Sequence, residues 1–219
     1  MRSVVRARGV SAVIAFDRLA RIAMLARAVG LLRARVIVVE RNVLSIRLSD
    51  RFRSRLLRLL SVRVTRFLYK NAGAIVGVSA GVTDDTARTL DLPRGQLMTI
   101  PNPLDVGVIA TRCRTTPSPE LVKAFAAGRQ PNIVTVGRLV AQKGHRDLLE
   151  AFAGLPERHR GTLVILGEGP LRIDLEQQAR HLGIADHLWM PGFVDNPWWF
   201  IHRADVFCLP SHHEGHPLI

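Results

Sequence analysis

Apolar and polar positions alternate along this chain with two different periods. Short, nearly continuous apolar runs recur at 13–16, 36–39, 74–78, 97–100, 133–136, 163–166, 188–190 and 206–209. Strands buried on both faces of a parallel sheet read this way, because neither face meets water. Between them, apolar residues three and four apart predict helices over 18–29, 50–70, 82–90, 145–152 and 171–182. Strand and helix in alternation predict an α/β chain of Rossmann-like architecture. The pattern lapses between residues 101 and 130, where Pro101, Pro103, Pro117 and Pro119 gather with Thr115, Thr116 and Ser118. Residues 1–108 and 131–219 are therefore expected as two domains joined by a linker over 109–130. Each side holds about four strands, few for a complete doubly wound domain.

Charge changes this picture in one region. The chain has 219 residues, 47% hydrophobic and 22% charged, with a formal net charge of +13. Arginine supplies 28 of the 31 basic side chains, and lysine only Lys70, Lys123 and Lys143. The first 70 residues hold 17 basic and 3 acidic side chains, whereas the remainder holds 14 and 15. A basic excess points to an anionic partner such as nucleic acid, a membrane surface or a phosphorylated substrate. Confinement to one third of the chain disfavours a uniformly basic nucleic-acid binder. Cys113 and Cys208 lie far apart without C-x-x-C spacing. That argues against a disulfide scaffold or a four-thiolate zinc site and fits a reducing compartment. No apolar run approaches the ~18–20 residues of a membrane-spanning helix. Arg2, Arg6 and Arg8 ahead of the apolar run 9–16 outline a secretory leader, but no small-residue cleavage site follows. A strand feeding a helix is expected instead.

The predicted helix 50–70 is the most informative. Arg51, Arg55, Arg58, Arg63, Arg66 and Lys70 fall on one arc, and Leu56, Leu57, Leu60, Val64, Phe67 and Leu68 on the adjoining one. Phe52, Leu59 and Val62 fall among the basic residues, so the wheel is imperfect. Such a helix docks on its own sheet with a solvated arginine face or lies against anionic lipid headgroups. Nucleic acid is the least favoured reading, because no aromatic-rich RNA signature or zinc-finger spacing accompanies the charge. Arg51, Arg55, Arg58 and Arg66 are the membrane-facing candidates.

In the second half, strand 133–136 runs into Gly137-Arg138-Leu139 and then Gln142-Lys143-Gly144. Glycine at a strand-to-helix turn allows close backbone approach, and a helix N-terminus favours anions. Arg138 and Lys143 form a pair of cations suited to a diphosphate, although two surface cations in a loop also have an ordinary structural reading. The next strand ends in Gly167-Glu168-Gly169-Pro170, which lacks the third glycine of a dinucleotide fingerprint and reads as a tight turn with proline at the helix start. Pro191-Gly192-Phe193-Val194, Asn196-Pro197-Trp198-Trp199, Ala204-Asp205 and Ser211-His212-His213-Glu214-Gly215-His216-Pro217 follow. The histidines invite a metal reading, but their spacing matches neither H-E-x-x-H nor another standard ligand set. A loop carrying one substrate-binding carboxylate is preferred, and no metal site is assigned.

In succession, V-G-R-L-x3-K-G, L-x-I-L-G-x-G-P, G-F-V-x-N-P, A-D-x-F-x-L-P-S and E-G-x-P strongly resemble the nucleotide-binding half of family 4 retaining glycosyltransferases. That family has the GT-B fold, and residues 131–219 carry the match. Val38-Val39-Glu40-Arg41-Asn42, residues 69–79 (YKNAGAIVGVS) and Ile100-Pro101-Asn102-Pro103 look like the later part of its acceptor-side domain. The resemblance implies that Gly137, Arg138, Lys143, Gly167, Phe193, Val194, Glu214 and Gly215 bind the donor. Arg138 and Lys143 would neutralise the departing diphosphate, Phe193 and Val194 would meet the base, and Glu214, the first Glu of an E-x7-E motif, would hydrogen-bond the sugar. Backbone amides around Gly215 would help hold sugar and phosphate.

The sequence departs from that family at three points. The second Glu would fall at position 222, no Gly-rich loop precedes residue 10, and Arg41 stands where many relatives place a histidine. Both domains are therefore expected to be incomplete, and the chain to be a weakly active or inactive fragment of a longer enzyme. By resemblance that enzyme moves a sugar from a nucleotide sugar to a glycan or lipid-linked acceptor with retention, using no metal or other cofactor. It would work in the cytoplasm, with an anionic membrane surface as a further partner and no nucleic acid. Two other readings stay open: a non-catalytic basic module on membrane surfaces, and a nucleotide-sugar epimerase of similar fold.

Overall fold

The computed structural model describes residues 9–52 and 54–217. Arg2, Arg6 and Arg8 lie outside the described residues. The chain divides between Pro103 and Leu104 into two compact units, with residues 214–217 clustering with the first.

The first unit runs β1 (Ala12–Phe16), α1 (Asp17–Ala28), β2 (Arg35–Glu40), α2 (Leu44–Arg51), α3 (Arg55–Tyr69), β3 (Ala74–Gly77), α4 (Ala80–Leu90) and β4 (Leu97–Thr99). Its sheet is parallel in the order β1-β2-β3-β4. Right-handed crossovers between strands taken in sequence place every helix on one face. On that face Val36, Val38 and Ile75 pack with Met24, Leu48, Leu68, Tyr69 and Leu90. Helix α4 begins where the Ser79 hydroxyl accepts the Val82 N–H and ends at Asp91 in the left-handed region (φ 47°), so both termini carry local stop signals.

The helix expected over 50–70 is broken. Phe52 is extended (φ −123°, ψ 101°), separating α2 from α3. The cause is the misfit already visible in the wheel. A continuous helix would turn Phe52 outward among the arginines, whereas the break lets it pack against the core and buries Leu44 and Leu48 independently.

The second unit runs α5 (Val106–Arg114), α6 (Pro119–Ala126), β5 (Asn132–Val136), α7 (His145–Ala153), β6 (Thr162–Leu166), α8 (Arg172–His181), β7 (Leu188–Gly192), α9 (Pro197–Arg203) and β8 (Val206–Phe207). Its sheet is parallel in the order β7-β6-β5-β8. Both faces are covered. Ile133, Leu163 and Ile165 pack with Leu149, Phe152 and Leu175 on one side, and Val134, Val164 and Leu166 pack with Phe125, Trp199 and Phe200 on the other. This double burial is why β6 reads as an unbroken apolar run.

Much of segment 109–130, expected as a linker, is helical and belongs to this unit. The same polar residues and prolines that suggested a boundary are helix-start signals here. Asp105 accepts the Val108 N–H, and Ser118 accepts the Leu121 N–H with Pro119 in the first turn. Phe125 then anchors α6, its ring 5.4 Å from that of Phe200 and 5.7 Å from Trp199. Among the described residues no helix is long and apolar enough to cross a membrane.

Candidate functional site

In a parallel sheet the crevice for a ligand opens beyond the carboxyl ends of the strands. In the second unit three strand ends meet there and are laced by backbone bonds. Gly137 N–H donates to the Leu166 carbonyl at 3.0 Å, Gly167 N–H to Gly192 at 2.8 Å, and Leu139 N–H to Glu168 at 2.9 Å. Gly167 sits at φ 138°, and a Cβ there would strike the Gly137 carbonyl oxygen. Only glycine lets the two turns approach this closely.

The turns border a cavity of about 650 Å³ lined by Gly137, Arg138, Gly167, Phe193, Val194 and also Arg112. Lys143 is brought to the same place from the following turn, its Cδ lying 3.3 Å from where a Cβ on Gly137 would be. Arg138 and Phe193, the latter 70% exposed, both line this cavity, and the stem of Lys143 packs against the turn behind it. Such a combination can hold a phosphate at one end and a flat ring at the other. The Lys143 turn is itself held from behind, with Gln142 accepting the His212 N–H at 3.0 Å and donating to the His213 carbonyl at 3.1 Å.

A second groove, of about 1030 Å³, lies between α5, residues 115–118 and the Phe193–Asn196 loop. Arg112 and Asn196 shape this part of the unit; the sequence assigns no role to either, although Asn196 stands in the G-F-V-x-N-P motif. The Asn196 amide donates to the carbonyls of Arg112 and Thr115 at 2.8 and 2.9 Å. The Arg112 guanidinium donates to the Asp195 carbonyl at 3.0 Å. The signal for Asn196 was the N-P pair ahead of a helix; for Arg112 there was none.

Glu214 and Gly215 fall in the segment that clusters with the first unit. There the Ser79 hydroxyl donates to the Gly215 carbonyl at 2.7 Å, and the Asn102 amide donates to the His216 carbonyl at 3.3 Å. His212 remains in the second unit, its Nδ1 3.7 Å from an Asp147 carboxylate oxygen.

The carboxyl ends of β1 and β2 in the first unit hold a charge network. Glu40 is fully buried, accepting from the Tyr69 hydroxyl at 2.5 Å and pairing with Arg47 at 2.7 Å. Burial pushes the Glu40 carboxyl upward, and Arg47 and Tyr69 oppose that shift. Asp17, at φ 46°, accepts from the Arg41 backbone and guanidinium at 3.0 and 3.1 Å and pairs with Arg47 at 3.1 Å. Arg41 thus serves a carboxylate of its own unit. Of the basic residues of helix 50–70, Arg51 and Arg55 are exposed while Arg58 and Arg66 are half-buried. Arg66 pairs with Asp91 at 2.7 Å, and Arg58 donates to the Ser49 hydroxyl at 3.1 Å.

Comparison with known proteins places this geometry. The model of the family "Glycosyl transferases group 1" matches residues 119–219. The lipopolysaccharide core biosynthesis glycosyltransferase LpsD of Rhizobium meliloti is 33% identical over 112 residues, covering 50% of this chain and 32% of that protein. The 2-deoxystreptamine glucosyltransferase of Streptomyces kanamyceticus is 31% identical over 146 residues, covering 62% and 38%. The chain thus spans about a third of the length of these curated relatives. Among solved structures, HepE of Anabaena in complex with UDP superposes with a TM-score of 0.73 at 18% identity, covering 95% of this chain and 56% of that one. The fold is that of the GT-B glycosyltransferases. Through residues 119–219 the chain is similar to the group 1 glycosyl transferases.

Proposed function

We propose that the protein to which this chain belongs transfers a sugar from a nucleotide-sugar donor to a glycan or lipid-linked acceptor, with retention of anomeric configuration. The observation that carries this reading is the packing of the Lys143 stem on the Gly137 turn, next to Arg138, beside a cavity that Arg138 and Phe193 both line. A donor fits with its diphosphate at the cations and its base at Phe193 and Val194. HepE, of the same fold, has been seen with UDP, which supports a nucleoside diphosphate in such a crevice.

The chemistry follows from the leaving group. The acceptor hydroxyl oxygen attacks the anomeric carbon on the face from which the diphosphate departs. The carbon–oxygen bond to phosphate breaks, and its electron pair stays on the diphosphate. The hydroxyl proton passes to the departing phosphate oxygen. Arg138 and Lys143 stabilise the negative charge that builds there, the kind of electrostatic term that dominates catalysis of this type. Glu214 would orient the donor sugar through its hydroxyl groups. The residues at the turn supply positive charge without a metal ion, and no cofactor is proposed.

Calorimetric titration of the chain with nucleoside diphosphates tests the site apart from turnover. Arg138→Ala and Lys143→Ala should each weaken binding about tenfold or more, the loss of one charge-assisted contact. Undiminished binding in both variants would reject the assignment. With a full-length protein, product analysis should give transferred sugar in the donor's anomeric configuration. Epimerised donor without transfer, or inverted product, would overturn the reaction.

A further inference from the structure

Helices α1 and α3 of the first unit break the rule for a helix laid on its own sheet, which turns an apolar stripe inward and a polar face to water. Helix α3 buries Thr65, Leu68 and Tyr69. At ~100° per residue the opposite arc carries Leu56, Leu60 and Phe67, and Leu56 is 75% exposed and Phe67 65%. Helix α1 repeats the arrangement. Ala20, Ala23 and Met24 face the core, while Ile22 and Leu25 stand outward beside Leu19, 65% exposed. The two helices touch and lie on the same face of the sheet, so their ridges form one outward surface. A notch of about 360 Å³ lies between their last turns, bordered by Met24, Ala28 and Phe67. Single exposed leucines are ordinary; a continuous apolar ridge across two helices marks a contact surface.

The surrounding charge decides what that contact is. Arg18, Arg55, Arg63 and Lys70 are exposed on these helices or at their ends, and α3 contains no acidic residue. A second copy of the chain would bring like charges together. A bilayer with anionic headgroups above acyl chains offers the complementary arrangement. We infer that this face of α1 and α3 lies on an anionic lipid surface, with Leu56, Leu60 and Phe67 entering the acyl boundary and Arg55, Arg63 and Lys70 meeting the headgroups. The contact is apolar as well as ionic, which the arginines of the sequence alone did not indicate.

Co-sedimentation of the chain with vesicles tests this, using phosphatidylcholine alone and phosphatidylcholine with about one third phosphatidylglycerol. Binding should be about tenfold or more tighter on the anionic vesicles and should weaken as salt rises. Phe67→Asp with Leu60→Asp should lose about tenfold or more of that binding with an unchanged circular dichroism spectrum, because both side chains are exposed. Arg55→Glu with Arg63→Glu, which leaves the apolar ridge intact, should lose a comparable factor on anionic vesicles. Four results overturn the inference: no vesicle binding, equal binding to both compositions, wild-type binding by either double variant, or a dimer formed without lipid that the Asp variant disperses. No nucleotide sugar enters the assay, so its failure leaves the proposed transfer untouched, and loss of the transfer reading leaves this surface untouched.

Discussion

The side-chain amide of Asn196 donates to the carbonyl of Arg112 at 2.8 Å, and the guanidinium of Arg112 returns a bond to the neighbouring Asp195 carbonyl at 3.0 Å. This reciprocal clasp ties the Phe193–Asp195 loop to the end of α5, a segment more than eighty residues away in the chain. The loop forms one lip of the cavity, so its order is a condition for holding a flat ring there.

Asn196→Ala removes both side-chain bonds without touching the cavity. Nucleoside diphosphate affinity should fall several-fold, on the order of 1 kcal/mol, while stability changes by no more than about 0.5 kcal/mol because the bonds are exposed. Asn196→Asp should be worse, since a carboxylate would face two carbonyl oxygens. Calorimetric titration beside urea unfolding separates the two effects. A loss of stability as large as the loss of affinity would make Asn196 a general fold residue.

Gly167→Ala tests the close approach of the β5 and β6 turns. The new methyl meets the Gly137 carbonyl oxygen in a backbone conformation (φ 138°) that suits only glycine. The strained conformation alone costs about 1–3 kcal/mol, and displacement of the Gly137 turn should add a loss of diphosphate binding. Tryptophan fluorescence follows this unit selectively, because Trp189, Trp198 and Trp199 all belong to it. An unchanged urea midpoint would show that the turns separate freely.

In the first unit, Arg47→Met should destabilise more than Tyr69→Phe. The former leaves the buried Glu40 without its guanidinium, a loss of about 3–5 kcal/mol for a broken buried pair. The latter removes one hydrogen bond to that carboxylate, about 1–3 kcal/mol. Unfolding of both variants followed by far-ultraviolet circular dichroism should show this order. The reverse order would mean that Tyr69, not Arg47, stabilises the buried Glu40.

These residues also show what can be read without coordinates. Every apolar run predicted as a strand is one. Burial on two faces explains the unbroken run of β6, whereas β1, covered by helices on one face only, is equally apolar with Ile14 and Phe16 59% and 42% exposed. Arg138 and Lys143 are recognisable because glycine, cation and spacing lie within one turn of chain. Asn196 is different, because its partners are carbonyl groups whose directions exist only once α5 has formed. Helix α5 was hidden by the prolines that flank it, and α9, seven residues rich in aromatics, by its brevity. The break at Phe52 was legible only as a misfit. Nothing in the local sequence stops the helix there, and the gain comes from a core that the rest of the unit provides.

His145 makes a prediction about pH. It is 2% exposed at the first position of α7, immediately behind the Lys143-Gly144 turn. Burial pushes its imidazole below the usual 6.5, and Lys143 adds to that shift, while the nearby Arg138 backbone works against it. A histidine with a lowered folded pKa takes up its proton first in the unfolded chain. Its contribution to stability is therefore complete above about pH 6.5 and is lost as pH falls toward the folded value, at up to ~1.4 kcal/mol per pH unit. His145→Phe keeps a ring in that space but has no proton to bind. Between about pH 7.5 and about pH 5.5 the wild-type midpoint in urea, read by tryptophan fluorescence, should fall more steeply than that of the variant. The difference should vanish above about pH 7, where imidazole is neutral in both states. Parallel lines for the two proteins would show that His145 is protonated as readily folded as unfolded, and that its ring is reached by water behind the cation turn.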